Sequence, residues 1–207
     1  MRLLSSRLIL AFYFILISVN KPTLPCLFLS IHLAIITKTP YIVIIFLENT
    51  RYSDMRNLRY QHEEVVWIEV PGEVSLAYQF TGCPLRCKGC HSADTWKANS
   101  GEILSIEHFS RRLQQYRNLI SCVLFMGGEW LPDELTVYLA LSRQANLKTC
   151  LYTGLEKEQV PAQLLPLLDY LKTGPWIPEL GGLDQSSTNQ RFIDLKNGTL
   201  LNHLFHK

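Results

Sequence analysis

Charge of one sign is what this 207-residue chain most lacks. Its 20 Lys and Arg are nearly balanced by 18 Asp and Glu, for a formal charge of +2. A basic field that would hold nucleic acid nonspecifically is therefore excluded. Cysteine is scarce: six are too few for a disulfide-built scaffold, although three of them crowd between positions 83 and 90. Long uninterrupted apolar runs are missing as well. The stretches Leu8–Val19, Leu24–Ile36 and Tyr41–Leu47 are separated by Lys21, Pro22, Pro25, Lys38 and Pro40. None reaches the ~18 residues of a membrane-spanning helix. Glycine is absent from residues 1–54, though the chain holds 11. What is present is enough apolar material for a core: 47% hydrophobic against 18% charged residues excludes wholesale disorder.

The missing glycine marks a break in composition. Residues 1–54 contain 32 apolar residues and carry a net +3, whereas residues 55–207 carry a net −1. A basic start (Arg2, Arg7) before an apolar run resembles a signal peptide, but Val19-Asn20-Lys21-Pro22 offers no small-residue cleavage site. A membrane anchor is a second reading. The reading adopted is a third: residues 1–54 are an apolar extension from upstream DNA, outside the native protein. The native chain is then expected to start at Met55 and to form one domain, 55–207, without membrane contact unless the extension is real.

Within that domain, Val65–Val70 and Val74–Phe80 read as strands joined by a Pro71-Gly72 turn. A loop from Thr81 to about Ser100 carries the clustered cysteines. Ile106, Phe109, Leu113, Tyr116 and Ile120 recur at helical spacing, with Ser105 as N-cap and Glu107 in the first turn. Ser121–Met126 is a nearly all-apolar run ending in Gly127-Gly128, as expected of a strand covered on both faces. A second helix carries Leu131, Leu135, Tyr138 and Ser142, with Pro132 at its start. Strands follow at Lys148–Tyr152, Leu168–Lys172 and Arg191–Leu195, with a short helix at Pro161–Leu165. This alternation predicts an α/β fold with a parallel sheet. The site then lies at the carboxyl ends of the strands, where the cysteine loop, Gly127-Gly128-Glu129 and Thr153-Gly154 meet.

Cys83, Cys87 and Cys90 form Cys-x3-Cys-x2-Cys. Three thiolates on a short loop suit a soft metal centre, iron–sulfur or zinc. Structural zinc wants a fourth ligand, and His91 is too close in sequence to Cys90 to supply it comfortably. Three ligands for a four-iron cluster leave one iron open. Cys122 and Cys150, inside predicted strands, are expected to behave as small buried hydrophobes.

The cysteine motif, with Gly127-Gly128-Glu129 after the next strand, resembles the radical S-adenosylmethionine (SAM) superfamily. Gly82-Cys83-Pro84-Leu85-Arg86-Cys87-Lys88-Gly89-Cys90-His91 followed by Asp94-Thr95-Trp96 resembles its glycyl-radical-enzyme activases. Asn99-Ser100-Gly101, Tyr152-Thr153-Gly154 and Ser186-Ser187-Thr188-Asn189-Gln190-Arg191 are most similar to activating proteins of the anaerobic ribonucleoside-triphosphate reductase. The resemblance runs from about Glu64 to Asp194. Three features depart from it. Val70-Pro71-Gly72-Glu73-Val74 stands where related activases have a Gly-Pro-Gly-x-Arg-like turn. Gly89 stands where many superfamily members have an aromatic. Asp94-Thr95-Trp96 is closer to pyruvate formate-lyase activases.

The resemblance implies a partial, open β/α barrel of the radical SAM type, with the cluster loop at the carboxyl end of the first barrel strand. It implies a 4Fe–4S cluster on Cys83, Cys87 and Cys90 and SAM chelated to the open iron. Gly127, Gly128 and Glu129 would receive the methionine amino end. Gly89, Cys90 and His91 would flank the adenine through backbone groups, and Thr153 would face the ribose. One-electron reduction would split SAM into methionine and a 5′-deoxyadenosyl radical, which takes a Cα hydrogen from a glycine of the partner. The implied partners are the anaerobic reductase and a one-electron donor such as a flavodoxin, in an oxygen-poor cytoplasm. Two alternatives remain: an activase of pyruvate formate-lyase or another glycyl-radical enzyme, and a zinc-binding or electron-transfer module without catalysis.

Overall fold

The structure, a computed structural model, describes residues 57–206. The expected extension, the start at Met55 and Cys26 lie outside the described residues. Among those described, no helix is long and apolar enough to cross a membrane.

Eight strands form one sheet: β1 (Arg59–Val66), β2 (Ser75–Phe80), β3 (Glu102–Ile103), β4 (Cys122–Met126), β5 (Lys148–Tyr152), β6 (Tyr170–Thr173), β7 (Arg191–Asp194) and β8 (Thr199–Leu200). Their order is β3-β1-β2-β4-β5-β6-β7-β8. The four central strands β2, β4, β5 and β6 are parallel, while β1, β3, β7 and β8 attach antiparallel. The fold is thus mixed α/β with a parallel centre, where the sequence predicted an open barrel of strands and helices. Two of the antiparallel pairs, β1 with β2 and β7 with β8, follow from short connections. Val70-Pro71-Gly72 turns the chain straight back between β1 and β2, and a few residues after Asp194 suffice to return β8, so neither link has room for a crossover helix.

β1 lies earlier than the apolar run Val65–Val70 suggests. Its first six residues, R-Y-Q-H-E-E, alternate too weakly to be read as a strand, yet they pair with β2 from Tyr60 to Val66. Val70 leaves the sheet and is fully buried beneath it.

Two helices connect the parallel strands. Helix α1 (Ile106–Gln115) starts at Ser105, whose hydroxyl accepts the His108 N–H at 3.1 Å, as the sequence predicts. It ends before Asn118, which takes a left-handed φ of 65°. Ile120, placed on the helical stripe by spacing, packs into the core from the following loop. Helix α2 (Pro132–Gln144) opens on Pro132, with Asp133 and Glu134 in its first turn and Arg143 in its last, all favourable to the helix dipole. Between β5 and β6 the expected helix is reduced to two 3-10 turns, Lys157–Gln159 and Leu165–Leu167.

The period-two alternation of strands divides the core in two. Leu76, Tyr78 and Phe80 of β2, Val123 and Phe125 of β4, and Leu151 of β5 point to the face covered by Phe109, Leu113, Leu135 and Leu139 of the helices. Each such side chain contributes about 1.5–3 kcal/mol when fully buried. The other face carries smaller residues, Ala77, Cys122 and Cys150, with Leu124 and Phe192. No helix covers it. Val70, Leu183 and the segment Leu201–Phe205 pack there instead. Cys122 and Cys150 are fully buried, and burial pushes the Cys122 thiol up to about 12.

Candidate metal centre

The carboxyl ends of the four parallel strands lie along one edge. β2 delivers the cysteine loop there, β4 delivers Gly127-Gly128-Glu129, β5 delivers Thr153-Gly154 and β6 delivers Gly174-Pro175-Trp176. On the helix-free face, register aligns Gln79 with Met126, Met126 with Tyr152, and Tyr152 with Lys172. These four side chains floor a cavity of about 520 Å³ whose wall includes Cys83, Cys87 and Cys90. That volume is in the ~300–1,000 Å³ range of cofactor sites.

The cysteine loop is held by its own polar residues. Gly82 N–H donates to Thr95 O at 2.7 Å, and the Thr95 hydroxyl donates to Ser92 O at 2.8 Å. Gln79 Nε2 anchors Ser92 Oγ at 2.7 Å, and Thr81 Oγ1 closes the far end on Ser100 O at 2.7 Å. The three cysteines are free and half-buried. Burial raises the Cys83 thiol above its ordinary value, while hydrogen bonds with the backbone of Leu85 and Arg86 lower it. Among the described residues no three His, Cys, Asp or Glu side chains are grouped as ligands of a single ion. A cluster asks for something different, one iron per sulfur.

Gly89 has a φ of +70°, and a Cβ there would stand 3.2 Å from Pro178 Cγ and 3.7 Å from Trp176 Nε1. The absent aromatic before Cys90 thus has a physical account: Trp176 arrives from the end of β6 and fills that flank. Its ring lies 4.5 Å from that of His91. Asn189 Nδ2 donates to Pro175 O at 3.0 Å and fixes the turn that presents it. This gives the Ser186–Arg191 stretch a structural task that its sequence did not disclose.

The Gly127-Gly128 turn is demanded by the backbone. Gly127 has a φ of +87°, and a Cβ would lie 2.6 Å from the Trp130 ring. The turn delivers Glu129, which is only 4% exposed. Thr153 Oγ1 donates to Glu129 Oε1 at 2.7 Å, and among the described residues Glu129 Oε2 has no partner. Burial holds the Glu129 carboxyl above its usual range, with the hydrogen bonds from Thr153 and from its own backbone opposing. An unpartnered buried carboxylate oxygen in a cavity wall suits an ammonium.

Of the nine site residues predicted from sequence, Cys83, Cys87, Cys90, His91, Gly127, Glu129 and Thr153 line this one cavity. Gly89 and Gly128 stand behind it, shaping the loop and the turn. The Thr153 hydroxyl, expected at a ribose, donates to Glu129 and accepts from Leu155 N at 3.0 Å. Sequence reasoning missed Trp176 and Lys172. A Lys closing a predicted strand at its carboxyl end was the available signal for the latter. Burial brings the Lys172 ammonium down to about 8, against the opposing pull of the Cys87 and Cys90 sulfurs.

Comparison with known proteins adds the decisive observation: the model of the 4Fe-4S single cluster domain matches residues 69–193, more than half of the chain. The chain belongs to that family. The match contains the cysteine loop with Cys83, Cys87 and Cys90, the Gly-Gly-Glu turn and the β6 turn. The site fits a 4Fe-4S cluster. Three free sulfurs face one cavity of adequate volume, and the wall supplies an unpaired carboxylate oxygen for a second ligand. The chain is 31% identical over 98 residues to a pyruvate formate-lyase-activating enzyme of Clostridium pasteurianum, covering 44% of this chain and 41% of that protein. It is 29% identical over 81 residues to pyruvate formate-lyase 1-activating enzymes of Escherichia coli K12 and Shigella flexneri, covering 36% of this chain and 33% of those proteins. The matched segment is thus less than half the length of these relatives.

Proposed function

We propose that this chain is a radical SAM activase that generates a glycyl radical on a partner enzyme. The observation that carries the reading is the convergence of three free cysteines and the unpaired Glu129 Oε2 on one cavity. Activase names among the relatives support it. The cluster and SAM, when bound, supply a carbon-centred radical through one-electron cleavage of a carbon–sulfur bond. The protein binds, orients and excludes water.

Cys83, Cys87 and Cys90 hold the cluster. Gly127 and Gly128 bring their backbone close to the methionine end of SAM, and Glu129 accepts from its ammonium. Thr153 keeps Glu129 aimed at the cavity and forms the wall beside the ribose. Gly89, Cys90 and His91 offer backbone groups to the adenine, with Trp176 behind them.

The partner proposed is the anaerobic ribonucleoside-triphosphate reductase, on the strength of the Ser186–Arg191 stretch. Pyruvate formate-lyase is the second reading, favoured by the named relatives and by Asp94-Thr95-Trp96. Anaerobic reconstitution, reduction by a flavodoxin or dithionite, and addition of SAM should give methionine and 5′-deoxyadenosine. Adding each candidate in turn and looking for a glycyl electron-spin signal separates the partners. Zinc without iron, or intact SAM in a fully iron-loaded sample, would overturn the activase reading in favour of a non-catalytic module.

A further inference from the structure

Among the described residues, five buried polar side-chain atoms have no hydrogen-bond partner, and two of them belong to residues lining the cavity, Glu129 Oε2 and Trp176 Nε1. The first is an acceptor and suits an ammonium. The second is a donor that no group of the chain uses. Its indole is held from both edges. Trp176 sits in the turn after β6, where Asn189 Nδ2 fixes Pro175 O at 3.0 Å. The six-membered ring leans on Gly182, where a Cβ would stand 3.8 Å from Cζ3. The N–H edge meets the cysteine loop. A Cβ at Gly89 would stand 3.7 Å from Nε1, and the His91 ring lies 4.5 Å from the Trp176 ring, inclined by 49°. The absent side chain leaves a methyl-sized gap beside the donor. A buried indole N–H ordinarily finds a partner, and one without costs stability. The chain itself completes neither atom. A ligand with an ammonium at one end and a hydrogen-bond acceptor at the other would complete both.

We infer that Trp176 is a specificity residue for the nucleobase of the bound ligand, its Nε1–H donating to a ring nitrogen of the adenine. The inference rests on the activase reading, which puts the adenine against Gly89, Cys90 and His91, and it adds a side-chain donor to their backbone groups. Adenine presents ring nitrogens such as N7 and N3 as uncharged acceptors in the plane of a flat ring, and an indole N–H is a donor only. The two meet edge to edge without burying a charge. A cluster sulfur is the other kind of acceptor in the cavity. Cys83, Cys87 and Cys90 line the same wall, yet none is a partner of Nε1. Phe at position 176 would fill the same flank and offer no donor, so the N–H rather than the ring carries the discrimination.

The test uses the full chain, reconstituted anaerobically with iron and sulfide, as wild type and as Trp176→Phe. Isothermal titration measures S-adenosylhomocysteine and its 1-deaza, 3-deaza and 7-deaza analogues, each with one ring nitrogen replaced by C–H. Phe should weaken S-adenosylhomocysteine about tenfold, the loss of one buried hydrogen bond. One analogue should lose the same factor with the wild type and nothing more with the Phe variant, since both changes remove the same bond. The ligand-free Phe variant should melt no lower than the wild type, because it has shed an unpartnered donor. Penalties that add for all three analogues overturn the inference. So does a wild type that binds all three as tightly as the parent compound, a result that needs no variant. A Phe variant with a shifted cluster midpoint and the full set of wild-type deaza penalties assigns the donor to a sulfur, against the inference. A Phe variant that fails to fold or to load iron makes Trp176 a structural residue, also against it. Wild-type protein that takes up no iron, or takes it up and has no affinity for S-adenosylhomocysteine, strikes the activase reading itself, which is a different result.

Discussion

Replacing Glu129 by Gln tests whether the cavity was built for a cation or merely for packing. Gln is nearly isosteric. Its carbonyl can keep the 2.7 Å hydrogen bond from Thr153 Oγ1, and its amide replaces Oε2, the oxygen that has no partner. In the ligand-free protein the wild-type carboxylate is destabilising. It is buried, its carboxyl is held above the usual range by that burial, and leaving such a group unsatisfied costs about 1–3 kcal/mol. The folded state therefore binds the Glu129 proton more tightly than the unfolded state. Stability falls as pH rises from the ordinary carboxylate range through the raised folded value. Gln removes that slope. The variant and the wild type should melt together at acid pH, and the variant should melt higher near neutrality, by ~2–4 °C for each kcal/mol relieved. Binding should move the other way. A charge-assisted hydrogen bond to an ammonium contributes about 1.5–3 kcal/mol, so S-adenosylhomocysteine should bind about 10- to 100-fold more weakly. Scanning calorimetry across pH and isothermal titration read the two effects separately. A variant that is less stable at neutral pH and binds the ligand normally would refute the reasoning and make Glu129 a packing residue.

Alanine at Cys87 should lower the iron content and abolish SAM cleavage, as measured by iron assay and by chromatography of 5′-deoxyadenosine. Full iron with unaltered cleavage would dismiss the cluster assignment. Gly127→Ala combines a left-handed φ of +87° with a Cβ 2.6 Å from the Trp130 ring. The backbone strain alone costs ~1–2 kcal/mol, so the melting temperature should fall by several degrees and ligand affinity should fall with it. Asp169 lies 5% exposed at the opposite end of the sheet. Burial acts to raise its carboxyl, but Lys196, the Thr149 N–H and Arg143 outweigh that and hold it below the usual range. Its stabilisation is present above the unfolded carboxylate value and disappears as pH falls through the depressed one. Asp169→Asn should therefore flatten the acid limb of the stability curve and leave iron loading intact, as urea melts and iron assays would show.

The parts of this fold legible in the sequence are those governed by local rules. Ser105, Pro132 and the helical stripe around Phe109 act within a few residues, so spacing reports them. The apolar run Cys122–Met126 reads as a strand because both its faces are covered. Cys83, Cys87 and Cys90 announce themselves because ligands for one group must be near neighbours on a loop. What stayed hidden depends on partners distant in sequence. β1 is a strand only because β2 pairs with it, and its own residues R-Y-Q-H-E-E carry no pattern of burial. The antiparallel pairing of β1 with β2 follows from a connection length that becomes visible only once β1 is placed. Lys172 reads as a solvated strand end until the register with Tyr152 and Met126 turns it into the cavity.

The two faces of the sheet explain why the cavity exists at all. A sheet buries both faces, and among the described residues only one receives α1 and α2. Along the strands of the other face the residues run from small to large toward the carboxyl edge: Ala77 then Gln79 on β2, Cys122 and Leu124 then Met126 on β4, Cys150 then Tyr152 on β5. The chain's C-terminal part closes down on this face, with Phe192 in register beside Lys172 and the Phe205 ring set edge-on to it at 5.1 Å. The large end holds the covering segments away, and the cysteine loop spans the gap from above. A cavity of this kind is a consequence of side-chain size in a period-two pattern. Enlarging the small end should therefore lift the C-terminal cover, whereas trimming Met126 or Tyr152 should deepen the cavity without disturbing the sulfurs above it.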